Sequence, residues 1–172
     1  MHRSNDRGFT LIETMVYLAI YAIIMTGALV SAYAIFGSSA RNQTKAMVQE
    51  EGSFLIGKID WALTGVQTIN APAAGTSGNI LSLTKYDLTV GNPVIITVAS
   101  GVVSITRGGV TKPLSNSNVV ITCPAAGCFT HVSASGDGIN PEYATSTFTT
   151  SAKTSEGLSF TQDFSTVKYL RK

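Results

Sequence analysis

Charge is scarce in this chain. Asp, Glu, Lys and Arg make up 13% of its 172 residues, about half the share usual in a soluble globular domain. The net charge is +2 and no block of basic residues occurs, which argues against a nucleic-acid surface. Histidine is limited to His2 and His131, and the patterns G-x-S-x-G, H-E-x-x-H and the P-loop are all missing. No catalytic constellation can therefore be assembled from local sequence, and no cofactor is implied. There are two cysteines, Cys123 and Cys128; one pair cannot complete a tetrahedral metal site by itself. No proline precedes Pro72, so nothing forbids a helix through the first seventy residues. Ser, Thr, Gly and small apolar residues fill the chain instead, as in an extracellular β-rich domain.

One long apolar run stands out. Thr14 to Phe36 is 23 residues without Asp, Glu, Lys, Arg or His. As a helix at about 1.5 Å per residue it reaches roughly 35 Å, enough to cross a hydrocarbon core about 30 Å thick. A secretory signal peptide is one reading, with Arg3 and Arg7 as its basic start and Ala32-x-Ala34 as a cleavage site. The run is longer than the usual 7–15-residue apolar core of such a signal. A plain membrane anchor, basic end inside, is a second reading. Neither accounts for Glu13, which sits at the edge of this run, five positions after Gly8.

A third reading comes from Gly8-Phe-Thr-Leu-Ile-Glu13. A short polar leader with basic residues, then GFTLIE, then a long apolar helix resembles the processing region of type IV prepilins and of the pseudopilins of type II secretion. The resemblance implies that a prepilin peptidase cuts between Gly8 and Phe9 on the cytoplasmic side and N-methylates Phe9. Gly8 suits such a site because it brings no side chain into the protease. Positions four apart share a helix face, so the new Phe9 amine and the Glu13 carboxylate lie one turn apart. An ionisable residue in a membrane segment is a functional hypothesis with its partner named. Here the resemblance implies that Glu13 sets the register of an incoming subunit against the Phe9 amine of its neighbour. The plainer alternative is a Glu snorkelling to the headgroups.

After Phe36 the chain turns polar, and from Met47 apolar residues return at helical spacing: Met47, Val48, Leu55, Ile59, Ala62, Leu63, Val66 and Ile69. This stripe predicts an amphipathic helix carrying a globular domain, with Trp61 on or beside the stripe as packing. The helix is expected to end near Asn70, because Pro72 and APAAGTSGN follow. Gly27, Gly37, Gly52 and Gly57 are positions where it could bend or melt. The absence of a proline in the apolar half departs from many major pilins.

From Ile80 the period becomes two. ILSLT, YDLTV, VIITV, VVSIT and VVIT, then TSTFTT, GLSF and TVKYL, read as strands of an antiparallel meander. VVSITRGGVTKPLSNSNVVIT is similar to a strand–turn–strand of minor pilins and pseudopilins. The expected fold is α+β: a long N-terminal helix, transmembrane in its first half and amphipathic in its second, packed on a C-terminal antiparallel β-sheet in the lollipop shape of type IV pilins.

In CPAAGC, a disulfide between Cys123 and Cys128 is the expected state in an oxidising exterior. A metal site with His131, and free thiols, are the alternatives. Asp137, Asn140 and Glu142 offer oxygen ligands, and some pseudopilins bind calcium in a loop near the C-terminus; the spacing does not match an EF-hand, and a solvated loop is the plainer reading. Asn42-Gln43-Thr44 is a formal glycosylation sequon.

The sequence thus divides into a leader (1–8), a transmembrane or filament-core helix half (9–36), an amphipathic helix half (37–70) and an extracytoplasmic β-rich domain (71–172). The expected function is that of a type IV pilin-like filament subunit, with a type II secretion pseudopilin as the alternative and a non-polymerising anchored binding domain behind both. The implied partners are other pilin subunits through the N-terminal helix, the prepilin peptidase, an inner-membrane assembly platform and membrane lipid. The implied location is a single-pass membrane protein that moves into a surface filament or a periplasmic pseudopilus.

Overall fold

The computed structural model describes residues 10–86, 90–135, 141–154 and 157–170. Helix α1 (Leu11–Leu63) is followed by ten strands: β1 (Val66–Ala71), β2 (Ser77–Gly78), β3 (Ile80–Lys85), β4 (Val94–Ala99), β5 (Val102–Arg107), β6 (Val110–Pro113), β7 (Val120–Thr122), β8 (Phe129–Val132), β9 (Tyr143–Lys153) and β10 (Ser159–Tyr169). The chain divides into two compact units, residues 1–42 and 43–172.

The first unit contains the apolar part of α1. Its large side chains are exposed along the described length, Ile12 and Phe36 at 72% each. Length and composition make α1 able to cross a membrane. Three of its hydroxyls are turned back onto the helix: Thr14 Oγ1 donates to the Leu11 carbonyl at 2.8 Å, Thr26 Oγ1 to Ala22 at 2.8 Å and Ser31 Oγ to Gly27 at 2.9 Å. Those bonds satisfy polar atoms where no water is available.

The second unit is an α+β body. The amphipathic stripe of α1 does what its spacing predicts: Val48, Leu55, Ile59, Ala62 and Leu63 are buried. They join one core with Leu81 and Leu83 of β3, Val94 and Ile96 of β4, Phe129 of β8 and Phe148 of β9. The strands form two antiparallel sheets rather than one. The first runs β1-β3-β4-β5-β6; the second runs β10-β9-β8-β2, with β7 also on β9. Strict alternation along β9 buries Ala144, Ser146, Phe148, Thr150 and Ala152 and turns the residues between them outward.

The helix stops seven residues short of the expected Asn70, and the reason is local. Gly65 adopts φ +69°, the left-handed conformation that ends helices at glycine. Thr64 Oγ1 donates to the Asp60 carbonyl at 2.8 Å, and Lys85 Nζ to the Trp61 carbonyl at 2.7 Å, so two terminal acceptors are satisfied. Val66 and Ile69, spaced for the helical stripe, belong instead to β1, where Ile69 pairs with Leu83.

Other details also differ from the expectation. The runs GLSF and TVKYL fall on one strand, β10, paired with β9 over its whole length. YDLTV lies partly outside the described residues, and Tyr86 and Val90 are not strand. The helix is continuous across all four of its glycines. Gly52 is a packing notch, since a Cβ there would overlap the Phe164 ring of β10. The β5–β6 hairpin turns on Gly108 (φ +56°) and Gly109 (φ +79°), the two left-handed positions that a two-residue type I′ turn requires.

Candidate assembly site at the start of the helix

The Thr10 carbonyl accepts the backbone N–H groups of Glu13 at 3.1 Å and of Thr14 at 3.2 Å. Thr10 is therefore the residue that opens α1, and Glu13 lies in the first turn. Thr10-Leu11-Ile12-Glu13 has the spacing of a capping box. A carboxylate in that turn also meets the positive end of the helix dipole, an interaction of about 0.3–1 kcal/mol. Tyr17, one turn further on, donates its hydroxyl to Glu13 Oε1 at 3.3 Å. Glu13 is half-buried, and it is the only charged residue between Leu11 and Ala40.

A carboxylate has about four acceptor positions, and the Tyr17 bond occupies one of them. The site is an acceptor with spare capacity at the mouth of an apolar helix. What it can do chemically is receive a donor, most strongly an ammonium. The sequence reading missed Tyr17, although a Glu and a Tyr four apart on a helix was signal enough. It also missed the T-x-x-E helix start. Gly8 and Phe9, the predicted cleavage and methylation residues, lie outside the described residues.

The remaining predicted site residues lie in the second unit or outside the described residues. Cys123 and Cys128 form a disulfide. Cys128 is buried next to Phe129, and its N–H donates to Asn79 Oδ1 at 3.1 Å. Asp137 and Asn140 lie outside the described residues. The third calcium candidate, Glu142, is engaged elsewhere: its Oε1 is 2.9 Å from His131 Nε2. His131 Nδ1 is 3.0 Å from the Pro72 carbonyl. A carbonyl only accepts, so Nδ1 is the donor to Pro72. His131, buried and bonded on both nitrogens, links β8 to the chain after β1 and to the chain before β9. Among the described residues no group of three or more His, Cys, Asp and Glu could hold a metal.

No curated protein and no solved structure matches the chain. A family profile, the prokaryotic N-terminal methylation motif, matches residues 3–29. That span covers the leader from Arg3, GFTLIE and the apolar run from Thr14 to Leu29. With the α+β layout of a long apolar helix packed against antiparallel strands, the finding bears out the resemblance drawn from Gly8 to Glu13: the chain carries the prepilin-type motif of type IV pilins and pseudopilins.

Proposed function

We propose that this protein is a filament subunit of the type IV pilin kind. It enters the membrane through α1, loses residues 1–8 to a prepilin peptidase, is N-methylated on Phe9 and assembles through the helix into a surface filament. Its work is assembly rather than catalysis. The observation that carries this reading is Glu13, a half-buried carboxylate opening an apolar helix inside the matched motif. In the assembled filament Glu13 receives the Phe9 amine of a neighbouring copy. The second unit, residues 43–172, faces away from the cytoplasm, where an oxidising exterior suits the Cys123–Cys128 bond.

Intact-mass and N-terminal peptide analysis of the protein from its native membrane tests the reading. The expected first residue is Phe9, about 14 Da heavier than unmodified Phe because of one added methyl group. A chain starting after Ala34 would refute it in favour of a secreted domain, and an uncut chain starting at Met1 would refute it in favour of a simple anchor.

A further inference from the structure

Four strands stand at the ends of the two sheets: β1 and β6 in the first, β10 and β2 in the second. An edge strand presents unpaired N–H and C=O groups, and proteins blunt such edges. Strand β1 is broken by two register shifts and runs into Pro72. Strand β6 carries Lys112 and ends on Pro113. Strand β2 has two residues. Strand β10 is different. It is 11 residues long and has no proline. It pairs with β9 in unbroken register and, among the described residues, with no other strand. Its one lysine, Lys168, is taken by Asp60 at 2.8 Å.

Three bonds beside β10 fix the direction of its backbone groups. Leu170 N–H donates to the Glu142 carbonyl and Thr154 N–H to the Leu158 carbonyl, each at 2.8 Å. Both pairs continue the β10–β9 register, so the even positions of β10 are the ones bonded to β9. Thr147 N–H goes to the Cys128 carbonyl, so the odd positions of β9 serve β8. The N–H and C=O groups of Thr161, Asp163, Ser165 and Val167 therefore point away from β9. All four residues are exposed.

A groove of about 290 Å³ lies along the same strand, lined by Lys45, Val48 and Gln49 of α1 and Phe160, Thr161 and Gln162 of β10. None of these belongs to β9, so the groove opens on the free side of β10. Lys45 Nζ sits 5.2 Å from the Phe160 ring centroid, and among the described residues no carboxylate pairs with it. On the other face of the strand Asp163 accepts a bond from Thr149 Oγ1 at 2.6 Å. The free edge thus has a cation on one face and an anion on the other.

A second copy does not match this edge. Lys45 meets Phe160, Gly52 meets Phe164 and Asp60 meets Lys168, so β10 runs in the same direction as α1. Antiparallel pairing of two β10 edges would oppose the two helices, whereas under the proposed function copies in one membrane run the same way. Parallel pairing in register would set Asp163 beside Asp163, which repels. The geometry points to another occupant: an extended polypeptide segment of a different protein, added antiparallel to β10. Its backbone takes the four outward rungs. It carries a Lys or Arg opposite Asp163 and, at the next position, an Asp or Glu turned toward Lys45. Adjacent residues of opposite charge are required because neighbours in a strand face opposite ways.

The test uses the full chain in nanodiscs of phosphatidylcholine, one chain per disc, titrated into the labelled peptide Thr-Val-Thr-Thr-Val-Lys-Glu-Thr-Val and read by fluorescence anisotropy. Binding above that of empty nanodiscs is expected. With the peptide's Lys opposite Asp163, its even-numbered amides face β10 and its odd-numbered amides face away. N-methylation of the fourth and sixth amides should weaken binding by roughly tenfold or more, the loss of two backbone hydrogen bonds. N-methylation of the third and fifth should leave it unchanged. Ser165→Pro removes an N–H on the free side of β10 and spares the ladder to β9, so it should weaken binding of the unmethylated peptide. Asp163→Lys should weaken it about two- to fivefold, and replacing the peptide's Lys with Glu should restore it. Binding no stronger than to empty nanodiscs overturns the inference, as does binding indifferent to which amides are methylated. Concentration-dependent pairing of the single-chain nanodiscs that the peptide displaces overturns it in favour of a second copy.

Discussion

Replacing Gly52 with Ala separates two effects that normally travel together. In a helix interior Ala is more stable than Gly by about 0.5–1 kcal/mol, because Gly loses more backbone freedom on folding. Gly57 lies on the same helix, and a Cβ added there meets nothing within 4 Å. Gly57→Ala should therefore stabilise the second unit by about that amount. A Cβ at Gly52 falls inside the Phe164 ring. Phe164 is not free to swing away, for it stacks on Phe148 with centroids 5.7 Å apart and planes 19° from parallel, and Phe148 is 3% exposed. Overpacking of this kind costs about 1–3 kcal/mol. The two terms together leave Gly52→Ala between neutral and about 2.5 kcal/mol destabilising, and about 1–3 kcal/mol below Gly57→Ala. Urea unfolding of each full-length variant in nanodiscs, followed by Trp61 emission, measures both. The cycle with Phe164→Ala is the sharper readout: without the ring, Gly52→Ala should become stabilising. Equal stabilisation by Gly52→Ala and Gly57→Ala in the parent background would refute the notch.

Three further outcomes are expected. Glu13→Ala should leave membrane insertion and leader cleavage unchanged, and immunoblots of sheared filaments should lack the variant, since stranding one member of a buried charge pair costs about 3–5 kcal/mol; wild-type incorporation would rule out the pairing with Phe9. Thr150 is fully buried and, among the described residues, its hydroxyl has no hydrogen-bond partner, so Thr150→Val should raise stability by about 1 kcal/mol in the same urea assay, and a loss of that size would show that the hydroxyl is satisfied. Non-reducing peptide mapping should recover Cys123 linked to Cys128, and the double Ser variant should lose about 2 kcal/mol, the entropy of closing so short a loop; alkylation of both thiols in surface-exposed protein would contradict the bond.

The parts of the fold that were legible in the sequence are those fixed by near neighbours. An apolar run, a stripe at helical spacing and a switch to period two from Ile80 each depend on residues a few positions apart, and each has its counterpart in α1 or the strands. The helix end was misjudged because Val66 and Ile69 fit the stripe as well as they fit a strand. Gly65 and the pairing of β1 with β3 decided the matter, and that pairing partner lies beyond the turn. Strand β10 read as two pieces because its exposed middle, Gln162-Asp163, breaks the apolar pattern without breaking the ladder to β9. The notch of Gly52 under Phe164 and the bond of Glu142 to His131 were invisible for another reason. The first joins residues 112 positions apart and depends on which turn of α1 faces which rung of β10. The second depends on a register that no local pattern sets. At the candidate site the logic runs in reverse. Glu13 stood out because it violates its surroundings, and a violation is readable without any tertiary knowledge.

The chemistry of the helix surface sets Glu13 apart from the other polar residues of the apolar run. Thr14, Thr26 and Ser31 hide their polar atoms by donating to carbonyls of their own helix. A carboxylate has no hydrogen to donate, so that route is closed to it. A helix offers a carboxylate only the few N–H groups of its first turn and the side chains one turn away. At Glu13 the first-turn N–H groups of Glu13 and Thr14 already go to Thr10, and Tyr17 supplies a single bond. Under the proposed assembly, the remaining acceptor capacity is filled from outside the chain. An identical neighbour at the same height would set carboxylate beside carboxylate, which repels. A neighbour displaced along the axis by four residues, about 6 Å, sets its position 9 beside position 13. Under the proposed processing, position 9 carries the one cationic amine that this end of the helix possesses. A single acidic residue therefore disfavours the unstaggered arrangement and favours the staggered one, and a stagger repeated from copy to copy is what turns a pair of helices into a filament.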